Sequence, residues 1–172
     1  MLRLVFLLLP VTVAAQEARL SDYVDPRIGS EGLGRVFIGP SCPYGMVKPS
    51  PDCTVHPNSG WLPMPEQVNG FSQVHVSGTG GGPKYGNILV MPFGKGMDQL
   101  NHIDYRKDET IRLGYYATEF QRTGIYTEIT TAPRASFYRF TYPEDSLKSC
   151  WLTPASSWVN NRPPMPAKHN NL

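Results

Sequence analysis

The chain has 172 residues, a formal charge of +2 and only 17% charged side chains, and no basic cluster stands out, which argues against a nucleic-acid partner. Its 17 prolines, 16 glycines and 11% aromatic content favour a loop-rich β protein over a helical one, and the length suffices for one domain with a real core. The opening, MLRLVFLLLPVTVAAQEA, reads as a secretory signal: Arg3 is the positive end, Leu4 to Val13 the apolar stretch, and Val13-Ala14-Ala15 a small-residue cleavage site before Gln16. The apolar run is shorter than the about 20 residues of a membrane span, so residues 1–15 are expected to be removed and the product to be secreted or periplasmic with no membrane span. Asp22 to Gly29 then resembles a short edge strand running into a turn at Pro26. Glycines and prolines punctuate the apolar pieces Val36-Phe37-Ile38 and Tyr44 to Val47, and Pro49-Ser50-Pro51-Asp52 reads as another turn. Cys42 and Cys53 are close enough in sequence to bridge a loop in an oxidising compartment, with Cys150 left over.

The segment from Gly70 to Pro92, GFSQVHVSGTGGGPKYGNILVMP, is the most patterned in the chain. Phe71, Gln73 and His75 alternate with Ser72, Val74 and Val76, the two-residue period of a strand. Gly78, Gly80, Gly81 and Gly82 then form a loop that lets backbone approach something closely, and Ile88 to Met91 fits a second strand. This run is not a phosphate cradle, because no helix with a Lys-Ser/Thr pair follows. Phe93 to Asn101 is a glycine-broken connection, and the charged Tyr105-Arg106-Lys107-Asp108-Glu109 is expected as a solvated turn. Three strands follow, with Tyr116, Thr118 and Phe120 on one face, then Ile125, Thr127 and Ile129, then Ala135 to Tyr142; Arg122-Thr123-Gly124 is a hairpin turn. Their spacing of roughly 10 residues predicts an antiparallel sheet or sandwich. From Ser149 to Leu172 there is no sustained period and there are four prolines, so this end is expected to be weakly ordered.

DYVDPRIGSEGLGRVFIGPSCPYGMVKPSPD, NGFSQVHVSGTGGGPKYGNILVMP, GYYATEF and YTEITTAPRASFYRFTYPE, in that order, resemble glycoside hydrolase family 92, the exo-acting α-mannosidases. The second is similar to the family's strand and loop of the form GFSHTHLSGTG followed by YGD, departing from it at Gln73 and Val74. The resemblance covers about Asp22 to Leu152. It implies the first part of an all-β antiparallel sandwich, residues 16–152, with a divergent tail at 153–172. It further implies a separate (α/α)6 barrel, a calcium ion in the full-length enzyme, and an inverting pair of carboxylates about 6.5–9.5 Å apart. That pair belongs to the barrel, so no catalytic residue and no metal ligand is assigned here, and this stretch alone is expected to bind no calcium. The expected partners are a mannose-containing glycan and the missing barrel.

The candidate substrate-binding residues are Gly60, Trp61 and His75. In the family, a Gly-Trp pair at this place looks like part of the sugar-binding surface, where an exposed indole would offer a flat face to a pyranose; the alternative is a tryptophan that covers the core. His75 can exchange hydrogen bonds with a sugar hydroxyl or sit buried against backbone. Ser77 and Thr79 are expected to pin the loop, and Lys84 and Tyr85 to face the domain junction or solvent. His56, His102 and His169 lack metal-ligand spacing. The reading is therefore the N-terminal, carbohydrate-contacting portion of a secreted α-1,2-mannosidase-like hydrolase, inactive alone. The alternatives are a free-standing carbohydrate-binding module and a poorly folded remnant with open strand edges.

Overall fold

A computed structural model describes residues 19–31, 36–54, 59–78, 85–98 and 100–154. The signal-like residues 1–15, most of the glycine loop and the tail from 155 lie outside the described residues, as do His56 and His169. A short 3-10 turn, Leu20–Tyr23, precedes eight strands: β1 Ser50–Cys53, β2 Gln67–His75, β3 Tyr85–Phe93, β4 Asp104–Arg112, β5 Tyr115–Phe120, β6 Tyr126–Ala132, β7 Ala135–Thr141 and β8 Ser149–Pro154. Every pairing is antiparallel, and the strand order is β7-β6-β5-β4-β2-β3-β8, with β1 paired to β2 off this path. The all-β antiparallel class read from the sequence is therefore the fold observed.

The sheet curls until its two halves face each other. Phe71 of β2 lies 6.0 Å, ring centre to ring centre, from both Tyr116 and Phe120 of β5, and 6.5 Å from Tyr138 of β7. Gln73 Nε2 also donates to Tyr138 Oη at 2.6 Å, tying β2 to β7 across the fold. Phe71, Tyr116 and Phe120 are fully buried, and each such side chain contributes about 1.5–3 kcal/mol through the surface it removes from water. β5 and β6 bury the positions that alternation selects: Tyr116, Thr118 and Phe120, then Thr127 and Ile129, with Ile125 just ahead of β6. Asp104 fastens the turn between those strands. Its carboxylate accepts from the backbone N–H of Arg122 at 2.9 Å and of Thr123 at 3.2 Å, and from Thr123 Oγ1 at 3.0 Å.

Four local expectations are corrected. Asp22 to Gly29 is not a strand but the end of a 3-10 turn followed by further turns. Pro49 to Asp52 is not a turn: Ser50 to Cys53 is β1, and Pro51 is tolerated because among the described residues β1 pairs only with β2, leaving one side without ladder bonds to make. The charged run at 105–109 lies inside β4, where Asp104 and Arg106 point inward and are partnered. Of the segment from Ser149 expected to be weakly ordered, the described part is β8, whose six residues pair with β3 from Ile88↔Pro154 to Phe93↔Ser149.

Candidate functional site

The sequence-selected residues Gly60, Trp61 and His75 come together where β1 and β2 meet the loop that joins them. Ser50 stands opposite Ser72 and Asp52 opposite Gly70, so the Asp52 carboxylate sits beside β2. Ser72 Oγ donates to Asp52 Oδ2, and His75 Nε2 lies 2.8 Å from Asp52 Oδ1. The other ring nitrogen, Nδ1, lies 2.9 Å from the Lys48 carbonyl oxygen. A carbonyl can only accept, so Nδ1 carries the proton in that contact and the ring faces the carboxylate with Nε2. Tyr85 stacks on the imidazole at 5.2 Å and 11°, and Phe37 lies nearly parallel at 6.5 Å and 20°. Burial, with the Asp52 charge adding to it, pushes the Tyr85 phenol well above its ordinary range.

Gly60 closes the remaining side of the imidazole. Its φ is +93°, and a Cβ there would stand 2.6 Å from His75 Nε2 and 2.7 Å from Cδ2, so both backbone and space require glycine. The Gly60 carbonyl accepts from the Cys53 N–H at 2.7 Å, which welds the loop to the end of β1.

Trp61 does not offer the exposed indole face expected from the sequence. It is 2% exposed, and Nε1 donates to Glu109 Oε1 at 2.9 Å. That same oxygen accepts from Arg106 Nη1 at 2.6 Å and from Tyr116 Oη at 2.5 Å. Arg106 Nη2 in turn donates to the carbonyl of Leu62, the residue after the tryptophan. The physical reason for the burial is this cluster: the indole N–H finds its acceptor inside, so the ring can join the core without an orphaned donor. Burial, reinforced by Glu109, raises Tyr116 well above its ordinary value. Burial works against the Arg106 charge, but Tyr116, Glu109 and Cys53 outweigh it and hold the guanidinium charged.

The cysteines do not bridge. Cys42 Sγ reaches the Thr131 carbonyl at 3.3 Å, whereas Cys53 is fully buried and accepts from the Leu62 N–H at 3.1 Å. Burial pushes the Cys53 thiol up to about 12, against the pull of Arg106, which makes it an inert core group rather than a nucleophile. Ser77 Oγ accepts from the Phe37 N–H at 3.3 Å, tying the chain after β2 to the segment that precedes β1; the glycine loop it was expected to pin lies largely outside the described residues.

The carboxylates at this site are committed to neighbours. Asp52 is held by Ser72 and His75, Glu109 by Trp61, Arg106 and Tyr116, and neither pairing leaves an acid and a base facing open space. Among the described residues no three His, Cys, Asp or Glu side chains converge to hold a metal. Sequence reasoning passed over Asp52, Arg106 and Glu109. Asp52 carried the only available signal, its place in the Ser-Pro-Asp string, and that string was read as a turn.

The open side of the fold carries a groove of about 550 Å³ between β7 and β8, floored by Val74, Ile88 and Val90 and walled by Tyr138, Phe140 and Leu152. Asn87 stands at its edge with φ +79°, at the β-bulge where β3 takes one more residue than β2 between the pairs Ser72↔Leu89 and Val74↔Gly86.

Comparison with known proteins agrees with this architecture. The profile of the glycosyl hydrolase family 92 N-terminal domain matches residues 23–169. An uncharacterized secreted glycosidase from Arthroderma benhamiae is 34% identical over 149 residues, which is 80% of this chain and 19% of the relative. A solved family GH92 α-mannosidase from Bacteroides thetaiotaomicron superposes with a TM-score of 0.73 at 32% identity, covering 81% of this chain and 20% of the enzyme. Another solved GH92-family glycosyl hydrolase, at 22% identity and a TM-score of 0.66, shares the fold. The chain thus spans about a fifth of the length of these relatives. Strand order, curled sheet and profile match converge on one assignment: the chain belongs to glycoside hydrolase family 92 and carries its N-terminal domain.

Proposed function

We propose that this chain supplies the non-catalytic, carbohydrate-contacting lobe of a secreted α-1,2-mannosidase-like hydrolase acting on mannose-containing glycans of glycoproteins. In this reading the acid, the base and any calcium come from a separate catalytic barrel. The observation that carries it is the likeness, at 32% identity, to about a fifth of a solved α-mannosidase. It is supported by Asp52 and Glu109, the carboxylates against His75 and Trp61, both tied to structural partners. Gly60, Trp61 and His75 then serve as a foundation: Gly60 fits against the His75 ring and Trp61 bonds to Glu109, and surface segments carried on β1, β2 and their neighbours meet the glycan and the barrel. Incubation of the purified 172-residue chain with α-1,2-mannobiose in the presence of calcium tests this. The expected result is no mannose release above the uncatalysed background; calcium-dependent turnover would refute the assignment of catalysis to a separate barrel.

A further inference from the structure

Glycan recognition commonly uses an aromatic ring with a free face, and Trp61 is not available for it. Among the described aromatic side chains the most exposed is Tyr44. It is 106% exposed, the most exposed of the large hydrophobic side chains described. It also sits where its type is unfavourable. Gly45 N–H donates to the Cys42 carbonyl at 2.9 Å, closing a four-residue turn with Pro43 second and Tyr44 third at φ +58°. Proline second and a left-handed residue third is the pattern of a type II turn, whose third position normally belongs to glycine or asparagine. A bulky aromatic at positive φ is an outlier that persists only where its surroundings hold it.

The surroundings do hold it. Met46 N–H donates to the Pro133 carbonyl at 2.7 Å, and the Cys42 thiol donates to the Thr131 carbonyl at 3.3 Å, so both ends of the turn are pinned to the β6–β7 hairpin. Gly45 is fitted just as closely: a Cβ there would stand 3.0 Å from the Cys42 carbonyl oxygen. The next residue of that hairpin, Arg134, is exposed and lines the open groove together with Val47 of the same incoming segment. An exposed aromatic ring on a pinned turn, a guanidinium donor on the hairpin that holds that turn and a groove lined by the same arginine form a combination suited to a pyranose: C–H face on the ring, hydroxyls on the donors.

Resting on the function proposed above, we infer that Tyr44 is the aromatic platform on which this lobe stacks a mannopyranoside ring, with Arg134 as its hydroxyl-binding neighbour. The test is titration of the whole chain with α-1,2-mannobiose, followed by calorimetry and by NMR of the ¹³C-labelled tyrosine rings. Tyr44→Ala is expected to weaken binding by about tenfold or more, Tyr44→Phe to keep it within about threefold because the ring face and not the hydroxyl is used, and Phe137→Ala, an exposed aromatic on β7, to leave it unchanged. Binding by Tyr44→Ala equal to the unaltered chain would overturn the inference while leaving the lobe's glycan contact intact. Absence of any binding by the unaltered, folded chain would instead remove the glycan-contacting reading itself, and the platform with it. Tyr44 is outside the core, so thermal unfolding of the variants confirms that a loss of binding is not a loss of fold.

Discussion

Gly60 and His75 occupy space that admits no further atom: a methyl group on Gly60 would lie 2.6 Å from the imidazole Nε2, the nitrogen that faces Asp52 at 2.8 Å. Gly60→Ala therefore meets two penalties, a left-handed backbone at φ +93° and displacement of a fully buried ring from its carboxylate. Together these are expected to cost about 2–4 kcal/mol. Urea unfolding checks this, and a loss under about 0.5 kcal/mol would show that the loop yields without moving His75. Asp52→Ala and His75→Ala, made singly and together, should be strongly non-additive, since each leaves the other's buried polar group unpaired; a coupling of about 1–3 kcal/mol is expected.

The Arg106–Glu109 pair sets how Trp61 is held. Both side chains are essentially buried, at 0% and 3% exposure, and one carboxylate oxygen gathers the indole, the guanidinium and the Tyr116 hydroxyl. Glu109→Leu removes the acceptor of all three and strands a buried cation, so a loss of about 3–5 kcal/mol is expected. Arg106→Met combined with Glu109→Leu should recover much of that loss, because the uncompensated charge goes with its partner. If the double variant is as unstable as the single one, stranded charge is not the cause.

The two halves of the fold were unequally legible in the sequence. β5 and β6 could be read because their inward positions, Tyr116, Thr118, Phe120, Thr127 and Ile129, keep a strict two-residue period and carry residues suited to strands. β4 could not, because its inward positions hold Asp104 and Arg106, and polarity is a sign of burial only once the partners are known. Those partners are distant in the chain: Arg122 and Thr123 for Asp104, Leu62 for Arg106. β1 was hidden by Pro51, which breaks a central strand but not one paired on a single side. At the candidate site, the sequence named Gly60, Trp61 and His75 together, yet it could not tell an exposed indole from a buried one. That choice was made by Glu109, 48 residues away.

Alkaline pH should unfold the domain cooperatively. Burial lifts the Cys53 thiol from 9.0 to about 12, and lifts Tyr116 and Tyr138 well above 10.0. Each folded-state value lies above the unfolded one, so the neutral form is favoured by folding; the contribution is whole below the unfolded pKa and is lost as pH rises past it. The contribution of these groups is therefore expected to be flat below about pH 9, and stability to fall above it by about 1.4 kcal/mol per pH unit for each group that ionises only on unfolding. Tyrosinate absorbance near 295 nm and far-UV circular dichroism should change together. Ionisation of all nine tyrosines while the β signal persists would show that the buried hydroxyls are reachable in the native state.

The strain at Tyr44 makes a prediction about stability that is independent of any ligand. At φ +58° a tyrosine carries a penalty that glycine avoids, and its fully exposed ring gains no burial in return. Tyr44→Gly is thus expected to stabilise the isolated domain by about 1 kcal/mol, with part of that offset by the greater freedom of glycine in the unfolded chain. Asn87 is the natural control. It too has positive φ, at +79°, but asparagine tolerates that region, so Asn87→Gly should change stability by less than about 0.5 kcal/mol. Chemical denaturation of both variants decides the matter. A stabilised Tyr44→Gly that has lost mannoside binding would show a residue kept for its ring at the expense of its backbone, whereas a destabilised one would mean that the ring packs against the described hairpin and that the turn is not strained.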